Sequence, residues 1–122
     1  MSRGVVLPRR EIEATRRFAV RCEDLGYDSL WCGELWGRDA FVALARAAER
    51  TDEIDLGTAI VNVYSRTPAA LAQAAATLDS AAEGRIRLGL GTSTRKAIED
   101  LHGMNFGNPP RRLHETTELT RE

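Results

Sequence analysis

Hydrophobic residues along the chain follow two different periods, and the change from one to the other recurs about every 25 to 30 residues. Short apolar runs alternate with longer segments in which apolar residues recur at helical spacing. This order is typical of parallel strands, since each needs a crossover helix before the next strand. The pattern predicts an α/β fold of about four strand and helix units.

The predicted strands cover residues 4–7, 29–32, 54–63 and 86–90. The first helix runs from about Arg10 to Leu25 and is ended by Gly26. Asp39 is the predicted N-cap of the second helix, and Thr67 with Pro68 begins the third. A helical piece at 95–101 and a last helix from about 111, cut off at 122, complete the prediction. Residues 1–122 are therefore expected to form one partial domain.

Each of the first three helices has a predicted inward face. These faces comprise Ile12, Phe18, Cys22 and Leu25; Phe41, Leu44, Ala45 and Ala48; and Leu71, Ala75, Leu78 and Ala82.

Charge and composition exclude several classes of function. The 17 Lys and Arg residues nearly balance the 18 Asp and Glu residues, for a net charge of -1, and the basic residues are scattered. We therefore expect neither a nucleic-acid partner nor a membrane partner. No apolar run reaches the roughly 20 residues of a membrane helix, and a secretory leader is not evident, so a cytoplasmic location is expected. Cys22 and Cys32 are expected to be reduced and packed, and no metal site is predicted.

Polar residues at the ends of the predicted strands are the candidate functional groups. Glu34 ends strand two, where a carboxylate can exchange a proton or bind substrate, although a solvated loop acid is the alternative. Trp36 and Arg38 in the same loop are candidates to stack on, or pair with, an anionic ligand, unless Trp36 only covers the core. Arg66 follows strand three and is a candidate for phosphate or carboxylate binding, or an ordinary surface residue. His102 lies on the same side without a partner at ligand spacing.

Two glycines in the fourth unit resemble part of a dinucleotide fingerprint. Gly89 and Gly91 are followed by Thr92, but the third glycine of the motif is missing, and no acidic residue follows at the expected distance. A doubly wound nucleotide-binding fold is therefore the second architecture considered.

Four segments resemble a known family: LGYDSLWCGELWGRDAF, LGTAIVNVYSRTPAALAQAAATLD, GRIRLGLGTS and FGNPPRRLHE. They are similar to the luciferase-like monooxygenase superfamily. The TPAALAQAAATLD helix and its flanks look most similar to the branch that uses the deazaflavin coenzyme F420, which includes methylenetetrahydromethanopterin reductases. FMN-dependent monooxygenases form the neighbouring branch. The resemblance implies a TIM (β/α)8 barrel of the bacterial luciferase type, of which this chain supplies the N-terminal half.

The resemblance also implies where the coenzyme binds. In the family, the flavin ring lies at the C-terminal mouth of the barrel, against a bulge in strand three with a cis peptide bond between non-proline residues; by position this is Ala59-Ile60. The implied cofactor-binding residues are Ala59, Ile60, Val61 and Asn62 on strand three and Gly89, Leu90, Gly91 and Thr92 on strand four. Two departures concern the substrate: the family's Asn-Pro-Tyr is Asn-Val-Tyr at 62–64, and an acidic residue of some members is replaced by Thr92-Ser93.

The implied activity is F420-dependent hydride transfer to a small substrate such as methylenetetrahydromethanopterin, provided that the barrel is completed. In this scheme Glu34 is the catalytic candidate, and Trp36, Arg38 and Arg66 contact the substrate. Two alternatives stay open: an inactive truncated homologue or half-barrel subunit, and an FMN-dependent monooxygenase acting on paired donors. A half-barrel leaves one edge of strand one and one edge of strand four unpaired, so pairing of two copies, or with a separately encoded second half, is expected.

Overall fold

Strands and helices alternate through residues 1–8 and 11–121, which the computed structural model describes. The predicted helix start at Arg10 lies outside these residues. The elements are β1 (Gly4–Val6), α1 (Ile12–Asp24), β2 (Ser29–Cys32), α2 (Ala40–Ala48), β3 (Asp55–Thr58), β4 (Val61–Asn62), α3 (Pro68–Ala81), β5 (Ile86–Arg87), β6 (Leu90–Gly91), a π-helical turn (Ala97–Leu101) and α4 (Pro109–Arg121).

The strands form a parallel sheet in the order β1-β2-β3-β5, and a shorter parallel pair, β4-β6, follows it. Leu30 pairs with Leu56, and Leu56 pairs with Ile86 on its other side. The predicted third and fourth strands are therefore each divided into two short strands. The interruption of the third coincides with a cis peptide bond between Ala59 and Ile60.

The helices cover one face of the sheet in chain order, with α1 packed on α2, α2 on α3 and α3 on α4. Leu30, Leu44, Leu56 and Leu71 are fully buried between the two layers. On the opposite face the Trp31 ring lies over Gly57, and its Nε1 donates to Ser29 Oγ at 2.9 Å. Within the described residues, no helix is long and apolar enough to cross a membrane.

The predicted inward face of the first helix is partly wrong. Ile12 and Leu25 are 39% and 51% exposed, whereas Thr15, Ala19 and Cys22 are buried. Ile12 is the first residue of α1, and Leu25 follows its end, so neither lies over the sheet. The prediction favoured large apolar residues, but small residues in the middle of the helix allow its backbone to pack closely.

The other two inward faces agree better with the prediction. In α2, Phe41 and Leu44 are buried as expected, but Ala45 is exposed, because the helix turns Ala43 and Ala47 inward instead. In α3, the four predicted positions are buried or partly packed against the core. Both predicted N-caps are confirmed: Asp39 Oδ1 accepts from Val42 N at 3.0 Å, and Thr67 Oγ1 accepts from Ala70 N at 3.2 Å.

Candidate active site

The carboxyl ends of β2, β3 and β5 meet at one edge of the sheet, where the predicted cofactor segments lie side by side. Ala59 N donates to Cys32 O at 2.8 Å, and Glu34 N donates to Ile60 O at 3.2 Å. On the other side, Val61 N donates to Gly89 O at 3.1 Å. Backbone hydrogen bonds thus continue through the interrupted strand, and they hold segments 59–62 and 89–92 next to each other.

The peptide bond between Ala59 and Ile60 is cis, as the resemblance implied. Three glycines pack against this bulge. A Cβ on Gly33 would lie 3.0 Å from Ala59 O, one on Gly91 would lie 2.8 Å from Ile60 Cγ1, and one on Gly89 would overlap Thr58 O. Position 89 therefore requires glycine, while a side chain at 33 or 91 would press on the Ala59 carbonyl or on the Ile60 side chain. The close approach of these backbones is also what a flat ring at this edge would need.

The eight predicted cofactor-binding residues differ in accessibility. Ala59 is exposed, while Ile60 and residues 89–92 are half-buried. Val61 and Asn62 are buried, and Asn62 Oδ1 accepts from Tyr64 N at 3.0 Å and Ser65 N at 2.8 Å. The side chain of Asn62 therefore shapes the turn after β4, and the surface available to a ligand at this edge comes from the other six residues.

Glu34 and Arg66 form an ion pair beside this edge. Arg66 Nη1 donates to Glu34 Oε2 at 2.7 Å, and Nη2 donates to Oε1 at 2.8 Å. The Glu34 side chain is only 9% exposed, and Arg66 also contacts Asp39. Hydrogen bonding to Glu34, with the charges of both carboxylates, raises the pKa of Arg66. The sequence named both residues but did not predict that they pair.

Trp36 and Arg38 lie on the other side of the loop after β2. Trp36 is half exposed and borders an open cleft of about 660 Å³ that Leu7 and Leu35 also line. Arg38 donates to Pro8 O at 2.9 Å and to Leu7 O at 3.4 Å. Its guanidinium thus fastens the end of β1 to this loop, an interaction that the sequence did not predict.

Two aromatic rings and two arginines organise the loop after β6, and their contacts were not predicted from the sequence. Tyr64 stacks on Phe106 with ring centroids 5.5 Å apart, and its hydroxyl donates to Phe106 O at 2.7 Å. Arg95 lies over Phe106, and Arg112 lies over Tyr64. Arg112 also donates to Val63 O at 3.0 Å. Phe106 and Arg112 belong to the FGNPPRRLHE segment. That segment was therefore the sequence signal for this cluster of aromatic and arginine side chains.

The histidines and cysteines take no part in a recognisable catalytic cluster. His102 is exposed and borders a small polar cleft with Ser65 and Arg66, while His114 is exposed on α4. Burial raises the pKa of both cysteine thiols. In the described ranges, no group of three or more His, Cys, Asp or Glu side chains is placed to hold a metal ion.

The model of the family described as luciferase-like monooxygenase matches residues 1–122. The chain belongs to this luciferase-like family. One relative is a putative coenzyme F420-dependent oxidoreductase of Mycobacterium tuberculosis, 39% identical over 82% of this chain and 29% of its own length. The chain spans about a third or less of the curated relatives it matches.

Solved structures of luciferase-like enzymes share the fold. The coenzyme F420-dependent tetrahydromethanopterin reductase from Methanopyrus kandleri matches with a TM-score of 0.88 and 26% identity, over 98% of this chain and 39% of the reductase. The oxygenating constituent of 3,6-diketocamphane monooxygenase from Pseudomonas putida, in complex with FMN, matches with a TM-score of 0.86 and 22% identity, over 98% and 38%. The second likeness shows the fold alone. The chain thus has the fold of the first four units of a luciferase-like TIM barrel.

Proposed function

We propose that the edge formed by segments 59–62 and 89–92 binds the ring of coenzyme F420. The observation that carries the proposal is the bulge at exposed Ala59 and half-buried Ile60, flanked by glycines on the neighbouring strands. Such a surface suits a flat aromatic ring, because the neighbouring strand carries no side chain at Gly89 and Gly91. The relative from Mycobacterium tuberculosis, named as F420-dependent, favours this coenzyme over FMN.

The proposed reaction is transfer of a hydride between F420 and a small substrate such as methylenetetrahydromethanopterin, once the barrel is complete. The bound deazaflavin supplies the hydride chemistry. The protein orients the reactants: Gly89, Gly91 and Ile60 support the ring, and Thr92 offers its hydroxyl and backbone to the coenzyme. Glu34 exchanges a proton with the substrate, and Arg66 binds the substrate's anionic or carbonyl oxygens beside it.

Trp36 and Arg38 complete the substrate side of the proposed site. The half-exposed indole of Trp36 covers one end of the cleft and offers a stacking surface for a heteroaromatic substrate. Arg38 holds the cleft in shape through its bonds to Leu7 and Pro8, so its contribution to the substrate is mainly positive potential.

Completion of the barrel is part of the proposal. In the described residues, β1 is the edge strand on one side of the sheet, and β5 with β6 forms the edge on the other side. Strands added along these two edges would close the barrel. A complementary half or a second copy of the chain would supply them. An inactive truncated homologue is the second candidate function.

Coenzyme titration tests the proposal. The purified chain is titrated separately with F420 and with FMN, followed by absorbance and fluorescence, while light scattering gives the mass of the coeluting species. Retention of F420 by a defined species supports the reductase proposal, and retention of FMN alone supports a monooxygenase. Failure to retain either supports the inactive homologue.

A blocking variant shows whether retained coenzyme lies at the proposed edge. Ala59→Arg places a long charged side chain on the exposed backbone and should weaken F420 binding at least about tenfold. Leu119→Arg, at an exposed position on α4, is the control and should leave binding unchanged. Equal binding by both variants would place the coenzyme elsewhere.

A further inference from the structure

Four arginine side chains meet at one groove on the outside of the helix layer. The groove has a volume of about 490 Å³ and lies between α1 and the end of α2. It is lined by Arg16, Arg17, Val20, Arg21, Asp24 and Arg50, and we call it the arginine groove. One carboxylate stands there among four guanidinium groups, so the groove is locally positive although the chain has a net charge of -1.

The four arginines of this groove differ from the other arginines that the structure describes. Each of the others donates at least one hydrogen bond or forms an ion pair through its guanidinium group: Arg3, Arg38, Arg46, Arg66, Arg85, Arg87, Arg95, Arg111, Arg112 and Arg121. Within the described residues, the guanidinium groups of the arginine groove form no such bond. The arginines without a partner in this part of the chain are thus gathered at one place.

Helix ends account for only part of this arrangement. Arg21 lies in the last turn of α1, and Arg50 follows the end of α2, where the helix dipole favours a positive charge. Arg16 and Arg17 lie in the first half of α1 and gain nothing from that dipole. Arg17 and Arg21 are also four positions apart on one helix face, a spacing at which like charges repel. A bound anion would relieve this repulsion.

Closing of the barrel would leave the arginine groove accessible. β1 is an edge strand, and the helix that accompanies a strand added beside it would pack on the side of α1 away from α2. The arginine groove lies on the opposite side of α1, towards α2 and Arg50. Its occupant would therefore come from outside the barrel, on the helix side of the sheet and not at the proposed coenzyme edge.

We infer that the arginine groove binds a short acidic peptide segment of a partner protein. A guanidinium group forms paired hydrogen bonds with a carboxylate, and the four arginines are close enough to receive several carboxylates of one segment. Val20 lies half-buried among them and offers an apolar contact to one side chain of the peptide. The rise from Arg17 to Asp24 is about 11 Å along the helix, which corresponds to about three to four residues of extended chain.

Carboxylates at the borders of the arginine groove disfavour larger anionic surfaces. Asp24 lines one end of the groove, Glu13 stands one turn before Arg17 on α1, and Glu49 directly precedes Arg50. A nucleic-acid backbone or an anionic membrane would bring phosphates against these carboxylates as well. A short peptide contacts the arginines alone and places a neutral residue at Asp24. Charge complementarity therefore favours an acidic peptide over a polyanion.

Fluorescence anisotropy with a labelled peptide tests the inference on the whole chain. The probe is the peptide EELEE, and the uncharged peptide QQLQQ is the comparison. Arg17→Glu combined with Arg21→Glu reverses two charges of the groove and should weaken binding of EELEE at least about tenfold. Arg111→Glu combined with Arg121→Glu makes the same change in net charge at exposed positions of α4 and should change binding less than about twofold. Circular dichroism checks that both double variants are folded.

A variant of Val20 tests the apolar contact separately from charge. The wild-type chain should bind EELEE more tightly than EESEE, and Val20→Ser should remove that difference. A difference that persists in Val20→Ser would contradict the apolar contact. The inference would be overturned if the wild-type chain does not bind EELEE, if QQLQQ binds as tightly, or if both double variants weaken binding equally. Binding to phosphatidylserine vesicles or a DNA duplex without binding of EELEE, lost in the groove variant, would also overturn it.

Discussion

The two ends of the parallel sheet are built in opposite ways. At the amino end, Glu23 of α1 accepts hydrogen bonds from the backbone N–H groups of Asp52, Glu53 and Ile54, at 2.7 to 3.1 Å. Arg85 adds bonds to the Thr51 hydroxyl and carbonyl and to Ile54 O. At the carboxyl end, the strands are short and interrupted, and glycines take the place of side chains that would cover the backbone.

The amino end of the sheet therefore contributes to stability, whereas the carboxyl end leaves groups accessible for ligand binding. Two charged side chains close the amino end by satisfying loop backbone groups, so little is left for a ligand to bind. The carboxyl end leaves backbone and loops accessible, which is where (β/α) barrels place their sites. Changes at the amino end should therefore alter stability alone, whereas changes at the carboxyl end should alter coenzyme binding as well.

The largest effect is expected for Gly89→Ala at the carboxyl end. The added methyl group would overlap the carbonyl oxygen of Thr58, a backbone atom that cannot turn away. We expect a loss of about 3 kcal/mol in the free energy of unfolding, measured by urea denaturation, and loss of coenzyme retention. Gly84→Ala is the control, because its methyl group would meet nothing within 4 Å and only the φ of +82° opposes it, at about 1 to 2 kcal/mol. A smaller loss for Gly89→Ala than for this control would refute the crowding argument.

The second largest effect is expected when the Glu23 carboxylate is removed from the amino end of the sheet. Glu23→Ala leaves three backbone N–H groups without their acceptor, so the free energy of unfolding should fall by about 2 kcal/mol. Coenzyme binding by the folded protein should not change. Glu49→Ala removes an exposed ion pair with Arg46 and should cost less than about 0.5 kcal/mol. Weaker coenzyme binding in Glu23→Ala, at a temperature where the protein stays folded, would contradict the separation of the two ends.

At the carboxyl end, the buried ion pair of Glu34 and Arg66 is expected to be more strongly coupled than an exposed ion pair. A double-mutant cycle with Glu34→Gln and Arg66→Met should give a coupling energy of about 1 to 2 kcal/mol, because both side chains are largely buried and bidentate. The exposed pair of Arg95 and Glu99 is the control and should give less than about 0.5 kcal/mol. Similar coupling in the two cycles would show that burial adds nothing to the Glu34 pair.

The smallest effect is a pH dependence that arises from one carboxylate. Burial alone would raise the pKa of Glu23, but the N–H groups of Ile54, Glu53 and Asp52, with the charge of Arg85, outweigh it and lower the pKa. A folded-state pKa below the unfolded one contributes stability that is present above about pH 4.3 and is lost as the pH falls through the folded value. The difference in urea midpoint between wild type and Glu23→Gln should therefore shrink as the pH is lowered from about 6 to 3. A constant difference would assign the stabilisation to packing alone.

The order of the elements and both tested N-caps could be predicted from the sequence, because they depend on local periodicity and on single residues such as Asp39 and Thr67. The two-part strands could not be predicted from periodicity, because Thr58, Ala59 and Ile60 at the interruption are residue types that also occur inside continuous strands. The cis bond there was implied only by the family resemblance.

Contacts between segments that lie far apart in the chain could not be predicted from the sequence. Glu34 and Arg66 were each identified as candidates, but their pairing depends on two loops 32 residues apart meeting at one edge. The bonds of Arg38 to the carbonyls of Leu7 and Pro8 were not predicted either, because carbonyl acceptors are present in every residue. The hydrogen bonds of Glu23 to the loop before β3 were not predicted for the same reason, because its partners are backbone groups.

Amide hydrogen exchange, measured by mass spectrometry with and without F420, tests the central claim most directly. We expect slower exchange on addition of F420 in segments 59–62 and 89–92, with no change in segments 51–54 and 82–86 at the opposite end. Unchanged exchange at the carboxyl end, or slower exchange confined to the amino end, would contradict it.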